Sequence, residues 1–119
     1  MQFRERHIDG VTVIDALGDL IVTANPGALQ SVVKTVLGRG DLRIVLNLAG
    51  IARMDSTCLG ELVASYTSTL SRGGVLKLAA PSNHVRRLLE MTRLDTIIKV
   101  FETEDAAVAD FTAHEGAIC

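Results

Sequence analysis

The chain has 119 residues, 48% hydrophobic and 22% charged, which is the balance of a folded globular protein, and the length predicts a single domain over residues 1–119. Lys and Arg number 12 against 14 Asp and Glu, and there is no Trp and one Tyr, so neither charge nor base stacking favours a nucleic-acid partner. The longest nearly apolar run, Ile44 to Ala52, is too short to cross a membrane and the first ten residues lack the apolar core of a secretory signal, so we expect a cytoplasmic protein.

Two strands and a helix are predicted in the first third of the chain. Residues 2–8 and 11–17 read as strands joined by a hairpin turn at Asp9-Gly10. A helix is predicted to start at Asn25-Pro26 and to end at Gly38 and Gly40, with an apolar face made by Leu29, Val32, Val33, Val36 and Leu37. The nearly continuous apolar run from Arg43 to Ala49 is typical of a strand covered on both faces.

Helices and strands continue to alternate in the rest of the chain. A second helix ends at Arg72-Gly73-Gly74 and carries an apolar face of Leu59, Leu62, Val63, Tyr66 and Leu70. A strand over Val75 to Ala80, a helix from Pro81-Ser82 with Val85, Leu88 and Leu89 facing inward, a strand over Ile97 to Phe101 and a helix from Thr103 follow, and the chain is expected to fray from about Ala113. This order predicts an α/β fold with a mixed, mainly parallel sheet of about five strands, about four helices and the first strand as an antiparallel edge.

Four polar or reactive residues, Asp55-Ser56-Thr57-Cys58, stand where a strand ends and the second helix begins. Asp55 or Ser56 can cap the helix. Ser56, Thr57 or Cys58 can instead be a nucleophile, with His84 as the nearest histidine in sequence, although no catalytic motif surrounds them. Cys58 can also be a redox thiol or a buried core thiol. A hydroxyl at a helix start can equally accept a phosphoryl group without unfolding the helix.

The cysteines and histidines do not predict a metal site. Cys58 and Cys119 are too few and too far apart for a zinc site or a disulfide framework. His7, His84 and His114 are scattered without ligand spacing. We therefore expect no metal, no cofactor and no intrinsic catalysis.

Three segments, in order, resemble the STAS domain of bacterial anti-sigma factor antagonists, also called anti-anti-sigma factors. These are "IVLNLAGI", then "MDSTCLGEL", similar to the family's M-D-S-S/T-G-L-G, and, after a "GG" and a strand, "VRRLLEMTRLDTIIKVF". The likeness covers about half of the chain, from Ile44 to Phe101. It implies the STAS-like (SpoIIaa-like) fold and a non-enzymatic protein whose partner is an anti-sigma factor, an ATPase-type serine/threonine kinase. In that family the kinase phosphorylates the second hydroxyl residue of the motif, which ends binding, and a phosphatase reverses the modification.

Carried onto this chain, the resemblance makes Thr57 the phosphorylation site, with Ser56 as the second choice. It assigns partner binding to the start of the second helix, at Asp55, Ser56, Thr57, Cys58, Gly60 and Glu61. The sequence departs from the family at Cys58, where Gly is usual, and at Ile21, where Asp is usual. These departures keep an alternative open, in which the STAS domain is an interaction or scaffold module of a signalling or transport assembly without a phosphorylation cycle.

Overall fold

The computed structural model describes residues 2–17, 28–51 and 54–118, and the side chains of residues 2, 28, 57 and 112–118 lie outside that description. Five strands form one sheet: β1 (Gln2–Ile8), β2 (Val11–Leu17), β3 (Arg43–Gly50), β4 (Val75–Ala79) and β5 (Val100–Phe101). Their spatial order is the chain order, β1-β2-β3-β4-β5. β1 pairs with β2 in antiparallel fashion and all other pairs are parallel, so the predicted mixed sheet with an antiparallel edge is confirmed.

The hairpin between β1 and β2 closes at the two residues that the sequence indicates. Asp9 and Gly10 have φ values of 50° and 78°. Positive φ at both central residues matches the right-handed twist of the two strands, and Asp and Gly are among the residues that tolerate it best. The pairing register follows from this turn, with Ile8 opposite Val11.

Four helices cover the two faces of the sheet unequally. They are α1 (Ala28–Gly38), α2 (Ser56–Ser71), α3 (Asn83–Met91) and α4 (Glu104–Ile118). The first three contribute to one large apolar core over the face that carries Ile14, Ile44 and Leu46. α4 covers the opposite face, where Val108 and Phe111 pack with Val13 and Val45. No described helix is both long enough and apolar enough to span a bilayer.

The middle strands confirm the interpretation of continuous apolar runs. Ile44, Val45 and Leu46 in β3 are all buried, because one side chain faces α4 and the next faces the large core. The expected start of α1 at Asn25-Pro26 lies outside the described residues, as does Ile21.

The last strand is shorter than predicted. We expected a strand over Ile97 to Phe101, but only Val100–Phe101 pair with β4, and a 3₁₀ helix (Leu94–Thr96) precedes them. Arg93 enters the left-handed conformation at φ 61°, which ends α3 and redirects the backbone. Ile98 is still buried, so its apolar character reflects core packing rather than strand pairing.

α2 buries a different stripe from the one that apolar periodicity indicates. Leu59 and Leu62 are buried as predicted and Tyr66 is half-buried, but Val63 and Leu70 are exposed. The buried face instead runs through Cys58, Ser65 and Thr69. These small side chains let α2 approach the sheet and α1 closely, and Thr69 meets its hydrogen-bonding need by donating to the Ser65 carbonyl oxygen at 2.8 Å.

The backbone of α4 is helical through Ile118. Fraying of the chain from about Ala113 stays a prediction.

Candidate functional site

The candidate site is the loop that leaves β3 at the carboxyl edge of the sheet and enters α2. Gly50 ends β3 against β2, where an added Cβ would lie 2.8 Å from the Ala16 carbonyl oxygen, so only glycine fits there. Ile51 is buried and anchors the chain after this contact. The loop is therefore held by packing on the sheet, and it delivers the following residues to the edge where ligands and partners of open α/β sheets bind.

Asp55 is the N-cap of α2. Its backbone is extended (φ −89°, ψ 169°) and its Oδ1 accepts a hydrogen bond from the Cys58 amide at 2.8 Å. A cap of this kind contributes about 1 kcal/mol to stability. Ser56 is the first residue of the helix and is exposed, so it is not needed as the cap and its hydroxyl faces solvent.

Thr57 is the second residue of α2. Its backbone therefore lies in the first helical turn, where amide groups lack partners within the helix and the helix dipole favours negative charge. Its side chain is outside the described part of the structure, so its exposure stays a prediction.

Two residues that we assigned to partner binding are buried. The Cys58 side chain is 0% exposed within the large core, and Glu61 is 9% exposed. Both side chains therefore face the interior of the protein, and the assignment of the start of α2 to partner binding stays a prediction. Among the six assigned positions, Ser56 and Gly60 are exposed and Asp55 is partly exposed.

Glu61 is unusual among the buried polar residues. Among the described residues its Oε1 has no hydrogen-bond partner, and neither has the Ser65 hydroxyl one turn further along the same side of α2. An unsatisfied buried acceptor costs about 1–3 kcal/mol. This burial was not predictable from the sequence, because a Glu between Gly60 and Leu62 is typical of a solvent-facing position.

The thiol of Cys58 is chemically quiet in this environment. Burial raises its pKa to about 12, and the Asp55 carboxylate, through a hydrogen bond and its charge, and the charge of Glu61 act in the same direction. At neutral pH the group is therefore a protonated thiol and not a nucleophilic thiolate. His84 is exposed at the start of α3. This geometry favours the buried core thiol over the redox and nucleophile interpretations of Cys58.

A polar network that the sequence analysis missed lies at the same edge of the sheet, under α4. The buried Asp15 carboxylate accepts hydrogen bonds from Arg6 Nε at 2.7 Å and Arg6 Nη2 at 2.8 Å, and from Asn47 Nδ2 at 2.9 Å. Arg6 also forms an ion pair with Glu104 at the start of α4. These hydrogen bonds, those from Arg6 above all, hold the pKa of Asp15 below its ordinary value. Asp15 and Asn47 are polar residues within apolar strands, which is the signal that could have indicated the network.

One group of possible metal ligands is present among the described residues. Glu5, His7 and Asp41 bring ligand atoms within 4.8 Å of one another, so the sheet assembles neighbours for His7 that the sequence does not reveal. Arg39 donates hydrogen bonds to both carboxylates, to Asp41 Oδ2 at 3.0 Å and to Glu5 Oε2. The Arg39 guanidinium thus supplies the positive charge that balances these carboxylates. The group is explained as a surface ion-pair network.

The chain is similar over most of its length to known antagonists of anti-sigma factors. The family model described as "STAS domain" matches residues 2–107. An anti-sigma-B factor antagonist of Bacillus subtilis is 30% identical over 95 residues, which are 80% of this chain and 85% of the relative. A Thermotoga neapolitana relative, named as a homologue of an anti-sigma factor antagonist, is 35% identical over 74 residues, which are 62% of this chain and only 66% of that protein's length.

The fold comparison agrees with the sequence comparison. The crystal structure of an anti-sigma factor antagonist from Mycobacterium paratuberculosis superposes with a TM-score of 0.81 at 23% identity, covering 92% of each chain. At that identity the likeness concerns the fold. Together with the match to residues 2–107 and the Bacillus subtilis relative, it shows that this chain belongs to the STAS domain family of anti-sigma factor antagonists.

Proposed function

We propose that this protein is a non-enzymatic phospho-switch that antagonises an anti-sigma factor. In the unmodified state it binds an ATPase-type serine/threonine kinase through the surface around the start of α2, and so regulates transcription that depends on a sigma factor. Phosphorylation of Thr57 by that kinase ends binding, and a phosphatase restores it. Because the cycle uses ATP and acts on transcription, we expect it to take place in the cytoplasm.

The observation that carries the proposal is the separation of roles at the start of α2. Asp55 caps the helix through the Cys58 amide, and Ser56 is exposed beside it. A single side chain meets the capping need, so the cap does not require either of the two hydroxyl residues that follow. Family membership supports the same role for the motif.

The substitution of Cys for the usual Gly at position 58 does not count against this function. The Cys58 side chain is completely buried in the core beneath α2, so it adds no bulk to the exposed surface. We therefore favour the antagonist over the scaffold module, because no feature of the described residues independently supports a scaffold role.

Phosphorylation is expected to change the stability of the fold only slightly and to weaken partner binding strongly. A phosphate adds roughly −1.5 to −2 charges at neutral pH. At a helix N-terminus that charge is favourable by about 0.3–1 kcal/mol, so the fold is retained. A penalty of only about 2.7 kcal/mol against a docked partner weakens binding a hundredfold.

The test incubates the protein with an ATPase-type serine/threonine kinase from the same organism and ATP, followed by mass mapping of the phosphate and a binding titration. We expect phosphate on Thr57 and loss of binding in the Thr57→Asp variant, with its melting temperature unchanged. Thr57→Ala should bind and accept no phosphate. Ser56→Ala is the matched control for the acceptor, since it changes the neighbouring exposed hydroxyl and should still be phosphorylated on Thr57.

Two outcomes would contradict the switch. Phosphate on Ser56 alone would move the acceptor by one residue. Binding that survives in Thr57→Asp with no phosphate anywhere on the wild-type chain would favour the scaffold module instead.

A further inference from the structure

A cleft of about 780 Å³ lies at the amino edge of the sheet, the edge opposite to the start of α2. Its walls include Tyr66 and Leu70 from the last turns of α2, Val75 at the start of β4, Ile97 before β5 and Phe111 from α4. Tyr66 is fixed in this wall because its hydroxyl donates to the Ile97 carbonyl oxygen at 3.0 Å. The volume is in the range of about 300–1,000 Å³ that is usual for small-molecule sites.

The exposed apolar surface of the protein is concentrated in this cleft. Seven large apolar side chains are exposed among the described residues, and four of them line the cleft, with exposures from 37% for Leu42 to 58% for Ile97. Leu70 and Val75 are the remaining two of the four side chains that line the cleft. Single exposed apolar side chains are ordinary; the four here share one concave surface, where they form an apolar wall.

The α4 side of the cleft carries excess positive charge. The ammonium groups of Lys77 and Lys99 share the single carboxylate of Asp110, where Lys77 forms a direct ion pair and Lys99 Nζ lies 3.6 Å from Oδ2. Lys77 is buried and its Nζ lies 3.8 Å from the centroid of the Phe111 ring, which holds it in place. Lys99 is exposed, so it can turn toward a ligand. Two ammonium groups and one carboxylate leave one excess positive charge, which a bound anion would neutralise.

We propose that this cleft binds a small amphipathic anion, with an apolar body against Leu70, Val75 and Ile97 and a carboxylate or phosphate head group near Lys99 and Lys77. The apolar wall complements the apolar body of such a ligand. The two lysines, which share one carboxylate, complement its anionic head group. Leu70 follows Ser56 by 14 residues, which is about 21 Å along α2, so the ligand and a partner at the start of α2 occupy different ends of the helix. The inference does not depend on the phosphorylation switch.

The probe for the test is decanoate, with decyltrimethylammonium as a ligand of equal chain length and opposite charge. Decanoate should shift the backbone amide resonances of Leu70, Val75 and Lys99 in a saturable way at millimolar concentration, and the cation should not. Leu70→Ser should weaken decanoate binding about tenfold, because burial of a leucine side chain is worth about 1.5–3 kcal/mol and each 1.4 kcal/mol is tenfold. Lys99→Gln should remove the preference for the anion.

The matched control is Met91→Ser, which removes an apolar side chain that is 75% exposed and does not line the cleft. This variant should bind decanoate as the wild type does. All three substitutions are at exposed positions, so far-UV circular dichroism should show an unchanged fold.

Three results would overturn the proposal. The first is the absence of saturable shifts, and the second is equal binding of the cation and the anion. The third is a concentration-dependent rise in mass by light scattering, abolished by Leu70→Ser and insensitive to decanoate, which would assign the cleft to a second copy of this chain.

Discussion

The carboxylate of Asp15 offers a direct test of how much the buried polar network beneath α4 stabilises the fold. It is buried and accepts hydrogen bonds from Arg6, Asn47 and Arg4, and Asp15→Asn keeps its volume while removing its charge. Breaking a buried ion pair by removing one partner costs about 3–5 kcal/mol. The Arg6 side chain is 36% exposed and keeps its pair with Glu104, so we reduce the expected loss to about 2–3 kcal/mol. For a chain of this length that lowers the melting temperature by about 8–12 °C.

The control is Glu102→Gln, which removes a carboxylate from a surface pair. Glu102 Oε1 lies 2.8 Å from Arg86 Nη2, but the Glu102 side chain is largely exposed, so the loss should be about 0–1 kcal/mol. Thermal unfolding followed by circular dichroism at pH 7 compares the two variants with the wild type. Equal shifts in the two variants would refute the assignment of Asp15 as a stabilising centre of the buried network.

The same carboxylate makes stability depend on pH in a known direction. The pKa of Asp15 is lowered in the folded protein, so between the folded and unfolded pKa values the unfolded chain binds more protons. Stability from Asp15 is therefore complete above the unfolded pKa of about 3.9 and is lost as the pH falls through the folded pKa. The melting temperatures of the wild type and Asp15→Asn should approach each other as the pH is lowered from 5 toward 3, and a gap that stays constant would contradict this reasoning.

Two further predictions concern the start of α2 and the sheet edge. In a Cys119→Ser background Cys58 should not react with a disulfide reagent at pH 8 until denaturant is added, because its pKa is about 12, and fast labelling would contradict its burial. Gly60→Ala should stabilise by about 0.5–1 kcal/mol in urea unfolding, since an added Cβ meets nothing within 4 Å. Gly74→Ala should destabilise by about 1–3 kcal/mol, since its Cβ would lie 2.5 Å from the Leu42 carbonyl oxygen, and equal stability of the two variants would refute both assignments.

The sequence was sufficient for features that depend on local chemistry. Asp9-Gly10 predicted a turn with positive φ at both positions, and the run around Ile44 predicted a strand buried on both faces. The polar start of α2 was likewise found at a helix N-terminus after a buried strand. In each case neighbours within a few residues determine the outcome.

Features that depend on distant contacts were not predictable in this way. Periodicity placed Val63 and Leu70 inside, because it counts apolar residues and overlooks small polar ones such as Ser65 and Thr69, which let α2 pack closely. The burial of Glu61 has the same cause, because the face of α2 that packs inward is not the one that apolar periodicity predicts. In the candidate cleft, Leu70 and Phe111 are 41 positions apart in the chain and are brought to one surface only by the fold.

The strand order, which repeats the chain order without exception, has a consequence for how the molecule forms. Each new strand can dock beside the strand that was synthesised just before it, so most of the sheet can assemble from the N-terminus while the ribosome is still adding residues. The pair between Arg6 and Glu104 is different, because 98 positions separate the two residues. It closes only when α4 has emerged, and its formation marks the completion of the fold.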